Sequence, residues 1–162
     1  MKQTFLWLAI GLITMALASC ESKEEIIDKM EKEVSDMRQN VDTYTFSQWE
    51  SAQDRFSSLY EDLKDEGELT NEERQRVDKI VSEAEKYIRA AVSVQKMRNL
   101  WAELQEIVMT CTKEEAADFV ERWRDTCREV DRCELSAKQK EECMMLNNKI
   151  GELGTAPLRT DF

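Results

Sequence analysis

The chain has 162 residues, with 34 Asp and Glu against 23 Lys and Arg for a formal charge of −11; it contains no His, one Pro, four Gly and five Cys. Without His there is no Ser-His-Asp or Cys-His catalysis, no imidazole metal ligand and no histidine pH switch. The acidic balance argues against nucleic acid and against an electrostatic grip on anionic lipid, and the many charges with few Gly and Pro suit one compact domain or two small ones built from long helices.

The chain opens on Lys2 and an apolar run, Phe5 to Ile13, that is too short to span a bilayer as a permanent helix and reads as the core of an export signal over residues 1–19. Leu17-Ala18-Ser19-Cys20 follows. It resembles a bacterial lipobox, which implies acylation of Cys20 and cleavage before it. Separately, no metal or cofactor is expected. The mature chain would then be Cys20–Phe162, 143 residues carrying 22 basic against 34 acidic side chains, a sum of −12. Each buried CH₂ of an acyl chain contributes about 0.8 kcal/mol, so the lipid supplies a membrane partner without a transmembrane helix. Next comes Glu21-Ser22-Lys23-Glu24-Glu25. A Lys and two acidic residues close behind a lipid-bearing Cys resemble the export tag of surface lipoproteins of Bacteroidetes; the same residues also read as a solvated linker. The expected location is the outer membrane, with the cell surface favoured over the periplasmic face.

From residue 26 the apolar positions follow helical spacing, and the pattern predicts an all-α helical bundle of about five helices: 23–43, 48–66, 71–110, 113–133 and 137–152. Four starts carry capping-box patterns, in which a hydroxyl accepts from a free N–H and a Glu or Gln three residues on reaches back: Ser47-x-x-Glu50, Thr70-x-x-Glu73, Thr112-x-x-Glu115 and Ser136-x-x-Gln139. Glu/Lys-rich runs, such as Glu25–Lys29, read as solvated helix faces.

The register also repeats. Ile27, Met30, Val34, Met37 and Val41 have apolar partners 67 positions on, at Val94, Met97, Trp101, Leu104 and Val108. Val77, Ile80, Ala84 and Tyr87 follow Thr70 at the same offsets at which Cys143, Leu146, Ile150 and Leu153 follow Ser136. Two tandem three-helix units, 20–90 and 91–153, are therefore expected to share the third helix, which would reach about 60 Å; a short flexible tail, 154–162, follows. The architecture resembles spectrin-style linkage. A kink near Ala90–Ser93, folding the units side by side, is the alternative.

Trp49, Ala52, Phe56, Leu59, Tyr60 and Leu63 form the expected inner face of the second helix, and Ala116, Val120, Trp123, Cys127 and Val130 that of the fourth. Trp49, Trp101 and Trp123 fall in register with these stripes and read as packing residues, or else as sugar- or peptide-stacking platforms. Met109 and the pair Met144-Met145 read as core filler or as the lining of an adaptable groove. Of the four cysteines past Cys20, Cys111 and Cys133 stand at opposite ends of one helix, about 33 Å apart. Cys127 and Cys143 each lie about 10 Å from the turn between the last two helices, so Cys127–Cys143 is the well-placed disulfide, worth about 3 kcal/mol; two buried free thiols are the other reading. The spacings contain no Cys-x-x-Cys, which argues against zinc, and neither a Gly-rich phosphate loop nor a nucleophile elbow is present.

The lipobox, Ser47-x-Trp49, Tyr60-x-x-Leu63 and Leu69-Thr70-x-Glu72-Glu73-Arg74 together resemble the small helical lipoproteins of Bacteroidetes, over roughly residues 1–90. That resemblance implies an exported, membrane-anchored helical protein and carries no activity or site residues with it. The expected function is a non-enzymatic module that binds or spaces other envelope proteins. The alternatives are a periplasmic holdase-type chaperone and a carboxylate-dependent hydrolase.

Overall fold

A computed structural model describes residues 22–155, so residues 1–21, which hold the expected export signal and Cys20, and residues 156–162 lie outside the described residues. The described chain is all-α, with five helices: α1 Lys23–Gln39, α2 Phe46–Asp65, α3 Asn71–Ile107, α4 Lys113–Asp131 and α5 Ala137–Thr155. α5 runs past residue 152, the end expected from the periodicity.

Each helix begins on a side chain that satisfies its free amides. Thr70 caps α3 with Glu73, and Thr112 caps α4 with Glu115, as their spacing predicts. At α5 the Gln139 amide donates to Ser136 Oγ at 3.1 Å while the Ser136 amide donates to Gln139 Oε1 at 3.0 Å. α2 departs from expectation. Its cap is Thr45 with Gln48, not Ser47 with Glu50. Starting two residues earlier places Tyr44 just before the cap and Trp49 at the fourth helical position, where their rings pack edge to face at 5.3 Å. This is the hydrophobic staple, and it decides between two otherwise equivalent boxes. α1 also has a full box, Ser22 with Glu25, so Ser22 to Glu25, within the stretch read as a tag or linker, are its cap and first turn. Gly67, at φ +95°, makes the turn after α2, a conformation that any side chain would strain.

α3 passes unbroken through Ala90–Ser93. No Cα of α1 or α2 comes within 8 Å of α4 or α5, so the two halves follow one another along α3 and do not fold back. At 1.5 Å per residue its 37 residues span about 55 Å. The buried side chains form two clusters. The first joins α1 (Ile27, Met30, Val34, Met37), α2 (Trp49, Ala52, Phe56, Leu63) and the start of α3 (Val77, Ile80, Ala84). The second joins the end of α3 (Val94, Met97, Leu100), α4 (Phe119, Trp123, Val130) and α5 (Cys143, Leu146). Where they meet, α3 buries Ala90, Ala91 (the last member of the first cluster) and Ser93, small residues that let neighbours approach while the helix changes partners.

The two clusters share a plan but differ in closure. In the first, all three helices approach one another. In the second, α4 and α5 both pack on α3, yet no Cα of α4 lies within 8 Å of one in α5. The sequence accounts for this. Sixty-seven positions after Ala52 and Phe56, two buried residues of α2, stand Phe119 and Trp123. Their rings stack at 6.5 Å, and this bulkier pair holds the second hairpin open. The same pair corrects the expected face of α4. Phe119, Trp123, Thr126 and Val130 are buried, Ala116 and Cys127 are half-exposed, and Val120 is 50% exposed. Turning the helix by one residue exchanges a valine for a phenylalanine in the core, which buries more apolar surface.

Candidate functional site

The three tryptophans take structural positions. Trp49 is buried beneath Tyr44. Trp123 is buried, stacked on Phe119, and its Nε1 donates to Asn147 Oδ1 at 3.2 Å, one of the side-chain contacts that bridge α4 and α5. Trp101 is half-buried against the second cluster, with Lys149 Nζ 5.6 Å from its ring centroid. Each ring is engaged within the fold.

The methionines depart from the reading as core filler. Met109 is 91% exposed, Met144 61% and Met145 45%. They do not form one groove either. Met109 sits on the α3–α4 turn at the far end of the second half, whereas Met144 and Met145 lie in the middle of α5. Eleven helical residues separate Met144 from the far end of α5, about 16 Å.

All four described cysteines are free thiols, and the expected Cys127–Cys143 bridge is not present. Their heights along the hairpin agree with the reading from spacing, but α4 and α5 stand too far apart. With every α4–α5 Cα pair beyond 8 Å, the two exceed the 4.4–6.8 Å range that a disulfide spans. Cys127 Sγ instead faces Asn147 Oδ1 at 3.9 Å, and Cys133 Sγ lies 3.6 Å from Ser93 Oγ. Burial pushes the Cys143 thiol up to about 11, with the neighbouring Glu142 charge adding to it, and burial raises Cys127 in the same way. Both therefore remain protonated near neutrality, which makes them poor nucleophiles.

The structure brings together a set of residues that spacing alone did not connect. Where the two halves meet, the α1–α2 loop touches the start of α5. Lys138 Nζ donates to the Asp42 carbonyl at 2.8 Å, and Ser136 Oγ donates to the Asp42 carboxylate. Beside this contact lies a cavity of about 60 Å³, lined among others by Trp49, Val94, Arg98, Lys138 and Gln139. It is large enough for about two waters. Arg98 is held there by Glu142 through two bonds of 2.6 and 2.7 Å, so its charge is spent within the protein. Ser136 and Gln139 were legible as a cap; their meeting with Asp42, 94 residues away, had no local signal.

Elsewhere the titratable groups pair across helices. Arg76 of α3 binds Glu24, Asp28 and Glu31 of α1, and Arg122 of α4 binds Glu103 of α3 together with Asp118. Glu31 and Glu103 are accordingly held below the usual carboxylate range by their arginine partners, and Glu73 and Glu115 by the amides and hydroxyls they cap. One carboxylate oxygen, Glu33 Oε2, is buried without a partner, while Oε1 accepts from Arg55 at 3.0 Å. Among the described residues no three His, Cys, Asp or Glu side chains are placed to hold a metal ion, and no helix is long and apolar enough to cross a membrane. Every resolved shift thus has a cap, an ion pair or thiol burial as its first cause, and the pairs of Arg38, Arg55, Arg76, Arg98 and Arg122 join one helix to another. Comparison of the chain with protein-family models, with curated proteins and with solved structures found no match.

Proposed function

We propose that the protein is a non-enzymatic lipoprotein of the outer membrane, related to the small helical lipoproteins of Bacteroidetes, that binds or spaces other proteins of the cell envelope. The observation that carries this reading is the unbroken α3, which joins two helical clusters end to end over about 55 Å. Such a shape separates what is held at one end from what is held at the other. Leu17-Ala18-Ser19-Cys20 supplies the attachment through acyl chains on Cys20, with the cell surface favoured by Lys23-Glu24-Glu25. The first test is metabolic labelling with a palmitate analogue. Label is expected on the wild-type chain and absent from Cys20→Ala; an unlabelled wild type overturns the anchor. Cross-linking in intact envelopes should then return a specific protein partner that Cys20→Ala loses.

The exposed Met144 and Met145 favour one second reading, a holdase that shelters apolar segments of clients. It predicts that the purified chain suppresses aggregation of a reduced model client, and that Met144→Ser/Met145→Ser does so less. No suppression by the wild type disposes of it.

A further inference from the structure

We propose that the first turn of α1 and the α2–α3 turn form the membrane-facing end of the protein, and that the rod stands away from the bilayer instead of lying along it. This rests on lipid attachment at Cys20, as put forward above, and adds its geometry. Ser22 is the N-cap of α1, so a single residue, Glu21, separates the acylated Cys from a closed helix. Two steps of chain span at most about 7 Å, which sets the base of the bundle at the headgroups with no linker to lift it.

That base is stiff. The Ser22–Glu25 box closes the first turn of α1. Lys23 Nζ donates to the Glu68 carbonyl at 2.7 Å, tying that turn to the α2–α3 loop, and Arg76 clamps the next two turns through Glu24, Asp28 and Glu31. Helix α1 therefore cannot fray into a tether without losing these contacts.

Side-on adsorption would press the flank of α1 against lipid. That flank presents the carboxylates clamped by Arg76, and nothing apolar compensates. Among the described residues the exposed large apolar side chains are Met109, Val120, Met144 and Met145, all of them in the half remote from Cys20 and spread over a turn and two helices. An interfacial helix needs one continuous exposed apolar face with basic residues beside it. α1 turns its apolar face into the first cluster, and its outer face mixes Lys29 and Lys32 with the more numerous carboxylates Glu24, Glu25, Asp28 and Glu31. Around the base, Glu25, Asp65, Glu66 and Glu68 are exposed. Within a Debye length of about 10 Å, an anionic leaflet repels a chain that is acidic at its base and along its flank. The α3–α4 turn then stands about 55–60 Å from the headgroups.

Neutron reflectometry of the full lipidated protein, reconstituted in a supported bilayer of phosphatidylcholine with one-fifth phosphatidylglycerol, tests this. The expected protein layer is about 60 Å thick and begins at the headgroups. A layer of about 25 Å, the width of two to three packed helices, overturns the proposal. Inserting ten Gly/Ser residues between Glu21 and Ser22 is expected to move the inner edge of the layer outward by about 10–17 Å, and an unchanged profile also overturns it. A chain that washes off the bilayer overturns the lipid attachment itself, the reading underneath.

Discussion

Met30 and Met97 occupy matching registers in the two halves of the chain, and replacing each with alanine tests the looser packing of the second hairpin. Both side chains are buried to within 2% of complete, Met30 between α1, α2 and α3 and Met97 among α3, α4 and α5. The same atoms are removed in each case, so the transfer part of the cost is the same. The cavity part differs. Around Met30 all three helices approach one another and the walls cannot close. Around Met97, α4 and α5 do not touch through their backbones and have room to settle inward. Buried Met→Ala changes cost about 2–5 kcal/mol, the spread reflecting how far a site collapses. Met30→Ala should fall near the top of that range, at about 4 kcal/mol, and Met97→Ala near the bottom, at about 2.5 kcal/mol. With a urea slope of about 2 kcal/mol/M, the unfolding midpoint followed by far-ultraviolet circular dichroism should drop by about 2 M and about 1.2 M respectively. If Met97→Ala costs as much as Met30→Ala, the second half is packed as tightly as the first and the reasoning from Phe119 and Trp123 fails.

Thiol chemistry reports on the same hairpin: iodoacetamide at pH 8 should alkylate Cys143 at least about tenfold more slowly than the half-exposed Cys111, since burial keeps Cys143 protonated up to about 11. Non-reducing peptide mapping should return Cys127 and Cys143 unlinked; a linked pair would show that α4 and α5 close in solution. Thr70→Ala removes the cap of α3 and should cost about 1 kcal/mol in urea unfolding, largely restored by Thr70→Ser. The Arg98 guanidinium holds the Glu142 carboxyl below its ordinary value of 4.5, so the folded carboxyl stays ionised where the unfolded one takes a proton. Its contribution is complete above about pH 4.5 and is lost as pH falls through the folded value. The urea midpoint should therefore drop on acidification below pH 4.5, and Glu142→Gln should flatten that drop; an unchanged slope in the variant would refute the assignment.

What could be read from the residues alone was what neighbours along the chain decide. The boxes at Thr70, Thr112 and Ser136 are satisfied within three residues, and the apolar periodicity of α1, α2 and α3 selects their buried faces before any partner is known. The candidate lipid site, Cys20, likewise rests on adjacent residues and lies outside the described part.

Tertiary structure decided the rest, wherever two local options were nearly equal or the partner was distant. Thr45 displaced Ser47 as a cap because Tyr44 could then reach Trp49. Phe119 displaced Val120 from the core because, with α4 packed on α3, the phenylalanine buries more apolar surface than the valine. Cys127 and Cys143 share a height along the hairpin, yet lateral separation depends on the volume of the side chains between helices, which spacing along a chain does not encode. Asp42 meets Ser136 and Lys138 only because α3 runs unbroken between two bundles and brings a loop of one against the first turn of α5 in the other.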